Sequence, residues 1–185
     1  MEIIIIKCLF IALILSFSIR HSIFKFRKIQ TKGMPPVNKV MFRIGKLTLF
    51  ASWMLLMLHI NILDISIIAN NIWIQRVAIV LLALGVILNI ASSINLGLSF
   101  RMGLPKENII LKTNGVYQFS RNPMLLSLFL ISIASSLYTL SPIVWVLTVT
   151  TILIHHRIIV AEEEFLRERF GNTWVNYSKN VRRYL

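Results

Sequence analysis

Three apolar runs, near residues 2 to 19, 47 to 68 and 73 to 97, constrain this chain more than any other feature of its sequence. Each approaches or exceeds the roughly 20 residues needed to cross a bilayer core. A fourth run, from Met124 to about Ile158, is long enough for two short spans, and Ser141-Pro142 divides it. Proline has no donor N–H, so it is a natural break between the two helices of a hairpin. With 56% hydrophobic and only 15% charged residues, the chain is too apolar for a soluble domain. The pattern predicts an all-α, polytopic integral membrane bundle of about five transmembrane helices, the last two forming a hairpin. Its length of 185 residues predicts one membrane domain, a three-helix part over 1–95 followed by a second half over 96–185.

A net charge of +13 raises the question of nucleic acid, and the distribution of that charge answers it. Arg20, Lys25, Arg27, Lys28, Lys32, Lys39, Arg43 and Lys46 form a basic stretch without an acid. The positive-inside rule makes that stretch cytoplasmic. The segment from Asn61 to Trp73 carries Asp64 and no Lys or Arg, so it belongs outside. Continuing the alternation returns residues 98 to 123 and the tail after about Arg157 to the cytoplasm, where Arg101, Lys106, Lys112, Arg121, Arg182 and Arg183 add further cations. The charge therefore orients the chain and attracts anionic headgroups, and nucleic acid is not an expected partner.

Smaller signals reduce to simple explanations. Cys8 has no possible intrachain partner, and Met1 to Ile19 lacks a small-residue cleavage pattern, so it reads as an uncleaved first helix. Asn176-Tyr177-Ser178 matches a glycosylation sequon but falls on the cytoplasmic side of this topology. His59 and Asp64 read as interfacial residues at the outer end of the second helix. No metal-ligand spacing is present, and the adjacent His155-His156 point about 100° apart on a helix. On the third helix Gly85, Asn89, Ser92, Ser93 and Leu96 share one stripe. Close helix packing explains such a stripe, and lining a cavity for an amphipathic substrate is the alternative. Ser132 and Ser136 form a similar small pair on the fourth helix.

The chemistry concentrates in the pieces that flank the hairpin. In "LGLSFRMGLPKENIILKTNGVYQFSRNP", the glycines, Pro105 and Asn114-Gly115 predict a structured loop that enters a helix at Pro123. That helix start directs free N–H groups and a positive dipole end to the cytoplasmic face, and Arg121 adds a permanent charge there. Arg121 is either an anchor for phospholipid phosphate or part of a site for an anionic group. After the hairpin, "RIIVAEEEFLRERFG" predicts an amphipathic continuation that stops at Gly171. Its apolar face carries Ile158, Ile159, Phe165, Leu166 and Phe170, with Glu162 central, Glu163 on the edge and Arg169 two turns on. Glu164, Arg167 and Glu168 fall on the opposite, solvated face. A central acid needs a cation or donor, which predicts an ion pair of Glu162 with Arg169 or Arg121, or a grip on a ligand's hydroxyl or cationic groups.

Taken together, "GVYQFSRNP", an apolar hairpin and "EEEFLRERFGNTWVNYSKNVRRYL" resemble the isoprenylcysteine carboxyl methyltransferase family, which shares this half with phospholipid methyltransferases. The resemblance covers Leu96 to Leu185 and rests on Gly115, Tyr117, Arg121, Pro123, Glu162, Glu163, Phe170, Gly171, Tyr177 and Arg183 in order and spacing. Asn122 replaces the usual histidine, as in bacterial-type members. Arg182 stands for the usual proline before Arg183, and Trp174 for the second tyrosine. The resemblance implies an S-adenosylmethionine-dependent methyltransferase in a membrane, the plasma membrane of a prokaryote, with its active site facing the cytoplasm and S-adenosylhomocysteine as product. It implies cofactor binding by Gly115, Tyr117, Arg121, Asn122, Pro123, Glu162 and Glu163, and catalytic roles for Arg183, Glu163 and Tyr177. The expected partners are membrane lipid and an amphipathic or lipidated methyl acceptor, an isoprenylcysteine-like carboxylate first, with a phospholipid or a small molecule as alternatives. A non-catalytic lipid-binding protein and a nicotinamide-dependent membrane reductase are the readings from other classes.

Overall fold

A computed structural model describes residues 1–29, 33–68, 71–100, 103–104 and 110–185. Lys32, Arg101, Pro105 and Lys106 of the basic and loop segments lie outside the described residues. Among the described residues six α-helices follow one another: α1 Glu2–Phe26, α2 Lys39–Asn61, α3 Ile72–Leu96, α4 Pro123–Thr139, α5 Pro142–Phe170 and α6 Asn172–Asn180. Among the described residues there is no strand, and two short 3-10 turns, Gly97–Ser99 and Gly115–Gln118, lie between α3 and α4. The protein is an all-α integral membrane bundle. Helices α1, α2, α3 and α5 are long and apolar enough to cross a bilayer, and α4 is a shorter apolar helix of 17 residues.

The breaks fall where local chemistry demands them. Asn38 and Asn71 cap α2 and α3, their side chains accepting from the N–H groups of Val40 and Trp73 at 2.8 and 2.9 Å. Pro123 opens α4 and Pro142 opens α5, each at a position where a missing N–H costs nothing. The hairpin closes at Leu140, a left-handed residue with φ of +46°.

Helix packing uses small and hydroxylated residues more than bulk. Beside an apolar cluster of Ile6, Leu13, Leu56, Leu82, Val86 and Ile131, α3 and α4 meet closely at Gly85, where a Cβ would lie 2.7 Å from Ile131 Cγ1. Asn89 Nδ2 donates to Ser127 Oγ at 2.9 Å across the same interface. Ser136 Oγ donates to Thr148 Oγ1 at 2.8 Å and Trp53 Nε1 to Ser132 Oγ at 3.3 Å, so the serine pair of α4 joins two different neighbours. The polar stripe of α3 is thus a packing device, since lipid offers no hydrophobic drive and hydrogen bonds must join the helices.

Opposite ends of the bundle gather the residues that the charge pattern separates. At one end His59 stacks edge-on against Tyr138, with ring centroids 5.9 Å apart, close to Asp64. At the other, Met34 and Leu104 exchange backbone hydrogen bonds of 2.9 and 2.8 Å, and Arg121 N–H donates to Arg182 O at 2.9 Å. Helix α5 has 29 residues against 17 in α4. At 1.5 Å per residue it overruns its hairpin partner by roughly 18 Å at this basic end, and α6 folds back along the overhang.

Candidate active site

The site is built where the start of α4, the overhang of α5, α6 and the tail converge. Glu163, 8% exposed, is its centre. Its Oε2 accepts from Arg121 Nη2 at 3.2 Å and from Arg183 Nε and Nη2 at 3.1 and 2.9 Å. Its Oε1 accepts from Asn122 Nδ2 at 3.0 Å. Two guanidinium groups around one carboxylate leave a surplus of positive charge. The hydrogen bonds that Arg183 donates to Glu163 raise its pKa against the opposing effect of burial, so its cation is secure.

Each of these groups is held by the backbone as well as by the acid. Arg121 Nη1 donates to Ser178 O at 3.1 Å, and its guanidinium carbon lies 5.7 Å from the Trp174 ring centroid. Asn122 Nδ2 also approaches Arg183 O at 3.4 Å, and Ser120 Oγ donates to the same carbonyl at 3.3 Å. A cleft of about 390 Å³ opens beside this cage. Its lining includes Arg121, Arg167, Lys179 and Arg183 against Glu163 and Glu164, with Trp174 as its aromatic wall.

Tyr117 marks a second neighbourhood on the far side of the loop. It is buried, and Tyr177 Oη donates to its carbonyl at 2.6 Å. Burial raises the pKa of both phenols, that of Tyr177 to about 12, so each remains a neutral hydroxyl at neutral pH. Glu162 and Arg20 both lie within electrostatic reach of the Tyr117 hydroxyl.

The residues implied by the resemblance therefore divide into two groups. Arg121, Glu163 and Arg183 line the cleft, and Asn122 and Pro123 stand behind it. Gly115, Tyr117, Glu162 and Tyr177 do not line it. The acid that meets Arg121 is Glu163, so the Glu162–Arg121 pair, one of the alternatives offered by the sequence, is not formed. The two lie about 100° apart on α5, and α4 begins on the Glu163 side. Glu162 lies within electrostatic reach of Tyr117 and makes no hydrogen bond or ion pair among the described residues. Glu164 and Arg167 keep 61% and 65% of their side-chain exposure, as expected of the solvated face. They also border the cleft because the chain turns at Gly171, with φ of +52°, and α6 returns along that side. Trp174, Ser178 and Lys179 come with α6, and the apolar Trp174 following a glycine stop was the available signal for that return.

This geometry stands beside one decisive likeness. The phospholipid methyltransferase family model matches residues 73–173, from α3 through the end of α5. The chain belongs to the phospholipid methyltransferase family. No curated protein matches it. The matched stretch carries Arg121, Asn122 and Glu163, while Trp174, Tyr177 and Arg183 lie beyond it and α1 and α2 before it. As a phospholipid methyltransferase family member, the protein is a membrane methyltransferase.

Proposed function

We propose that the protein transfers a methyl group from S-adenosylmethionine, at the cytoplasmic face of a prokaryotic plasma membrane, to the carboxylate of an isoprenylcysteine-like or other amphipathic acceptor. The observation that carries this reading is the Glu163 cage, which fixes two arginines at the mouth of a cleft with surplus positive charge. The residues present fit the cofactor. Arg121 Nε is buried without a hydrogen-bond partner among the described residues, an unsatisfied donor in the side chain that borders the cleft. The cleft volume also falls within the roughly 300 to 1,000 Å³ of small-molecule sites. Arg121 would hold the amino-acid carboxylate, and Trp174 would cover an aromatic or sulfonium face.

When bound, S-adenosylmethionine supplies a methyl already activated on sulfonium, so the chain's task is in-line positioning and exclusion of water. Arg183 suits the acceptor end: its side chain keeps 35% of its exposure against 13% for Arg121. Glu163 occupies its Nε and Nη2, which leaves Nη1 for an incoming oxygen. A carboxylate with pKa near about 3.5 is ionised at neutral pH and needs no general base. Among the described residues no histidine lines the cleft, and its buried acid is committed to three donor groups. Asn122, standing where the histidine is usual, donates one hydrogen bond to Glu163. Methylation of a phospholipid amine is the second reading, favoured by the family match; it asks Glu164 to take a proton at the cleft rim.

Calorimetric titration of S-adenosylhomocysteine into detergent-purified protein tests the cofactor assignment. Wild type binds at micromolar concentrations, and Arg121→Ala and Glu163→Gln weaken binding at least about 10-fold, as expected for breaking a buried charge network. Absence of binding to folded wild type would remove the enzyme reading. Tritiated methyl donor offered with N-acetyl-S-farnesylcysteine or with phosphatidylethanolamine then separates carboxylate from amine acceptors.

A further inference from the structure

Arg20 is a cation that the site just described does not use. It lies in the last third of α1, outside the family match, in a helix whose neighbouring residues Ile19 and Ile23 face lipid. Its Nη1 donates to Ser93 Oγ on α3 at 2.6 Å. Its guanidinium carbon lies 4.1 Å from the Phe100 ring centroid and 4.9 Å from that of Phe17, so both aromatic rings contact it. Among the described residues no carboxylate pairs with it, and its one hydrogen-bond acceptor is a neutral hydroxyl.

A half-buried cation whose acceptor is a neutral hydroxyl keeps N–H donors to offer an anion. A snorkelling arginine turns to the headgroups at a helix end, whereas this one is folded inward and fixed by Ser93 and two rings. Two observations give direction to the missing anion. Arg20 is half-buried at the α1–α3 contact, and Ile94 and Leu98 of the adjoining α3 region are exposed, so apolar surface for a lipid tail borders it. On its inner side lies Tyr117, whose hydroxyl it influences and whose carbonyl binds α6.

Resting on the methyltransferase reading, we propose that Arg20 is the docking group for the anionic head of the amphipathic acceptor, which enters laterally between α1 and α3 and reaches the cleft past Tyr117. The recognised chemistry is a phosphate or carboxylate oxygen attached to an apolar tail. Phe17 and Phe100 hold the guanidinium plane and leave its outer edge for that oxygen, while Ser93 sets its rotation. Recognition of an anionic head therefore begins at Arg20 in the N-terminal half of the chain, before the acceptor passes to Arg183 in the C-terminal half.

The test titrates four probes into detergent-purified protein saturated with S-adenosylhomocysteine. Dihexanoyl phosphatidic acid and N-acetyl-S-farnesylcysteine are anionic, and dihexanoylglycerol and the methyl ester of the farnesylcysteine are their neutral counterparts. Wild type binds the anionic member of each matched pair more tightly. Arg20→Gln weakens binding of one or both anionic probes at least about 10-fold, the scale of a hydrogen bond to a charged group, and changes neither neutral probe by more than about 2-fold. Arg20→Lys retains most of the preference. Loss for the phosphate probe alone names a lipid phosphate, and loss for the farnesylcysteine alone names a carboxylate. Equal affinities for charged and neutral probes in wild type, or parallel losses for all four in Arg20→Gln, would overturn the proposal. S-adenosylhomocysteine affinity, measured first for each variant, reports separately on the methyltransferase reading and on folding.

Discussion

Single residues in this protein are fixed by what surrounds them more than by their own propensities. Gly115 opens the turn that carries Tyr117, with φ of +61°, and a Cβ there would run into Asn95 Oδ1 of α3. The left-handed backbone and the collision are separate costs, together roughly 2 to 4 kcal/mol for an alanine. Gly115→Ala should lower the thermal midpoint in detergent by roughly 5 to 10 °C, and adding Asn95→Ala should restore only part of it, because the φ strain remains. Full restoration would show that the backbone there is relaxed. Gly115 was legible as a turn residue from Asn114-Gly115, whereas its dependence on Asn95, 20 positions earlier, was not. The same limit explains the two acids. A wheel drawn on α5 separates Glu162 from Glu163 by 100°, but only the position of α4 decides which of them meets Arg121.

At the scale of elements, the hairpin and its proline starts were plain in the sequence, because a missing N–H and a run of apolar residues act locally. The return of α6 was not, since nine residues of mixed character have no reason to fold back until α5 supplies the partner surface. Its attachment can be read through Tyr177, whose hydroxyl donates to Tyr117 O at 2.6 Å. Burial raises its pKa from 10.0 to about 12. Below pH 10 the tyrosine is protonated in folded and unfolded chains alike, and the hydrogen bond contributes in full. Between pH 10 and about 12 the unfolded chain alone gives up the proton, so stability falls as pH rises through that window. Melting curves from pH 8 to 11.5 should therefore show a steeper alkaline decline in wild type than in Tyr177→Phe. The variant itself should lose about 1 kcal/mol at pH 8. Superimposable alkaline limbs would mean that α6 is held without this hydroxyl.

For the molecule as a whole, charge and hydropathy defined the architecture in advance because both act over whole segments. Long apolar helices join a basic end, where Arg20, Arg121 and Arg183 gather, to an end marked by His59 and Asp64. The expected orientation follows from the cations. In intact cells a membrane-impermeant maleimide should label a Ser66→Cys variant and spare Asn176→Cys until the membrane is opened, both in a Cys8→Ser background. The reverse pattern would turn the site outward and defeat the cytoplasmic reading.

One detail of the tail bears on evolutionary freedom. Arg182 contributes to the site through its carbonyl, which receives the Arg121 N–H, while its side chain is exposed. Any residue type retains that oxygen, including the proline usual at this place. The cage thus registers the path of the main chain at position 182 and is indifferent to the letter written there, whereas one position later the letter itself is read. Substitutions can accumulate at the first of these neighbours without reaching the chemistry next door.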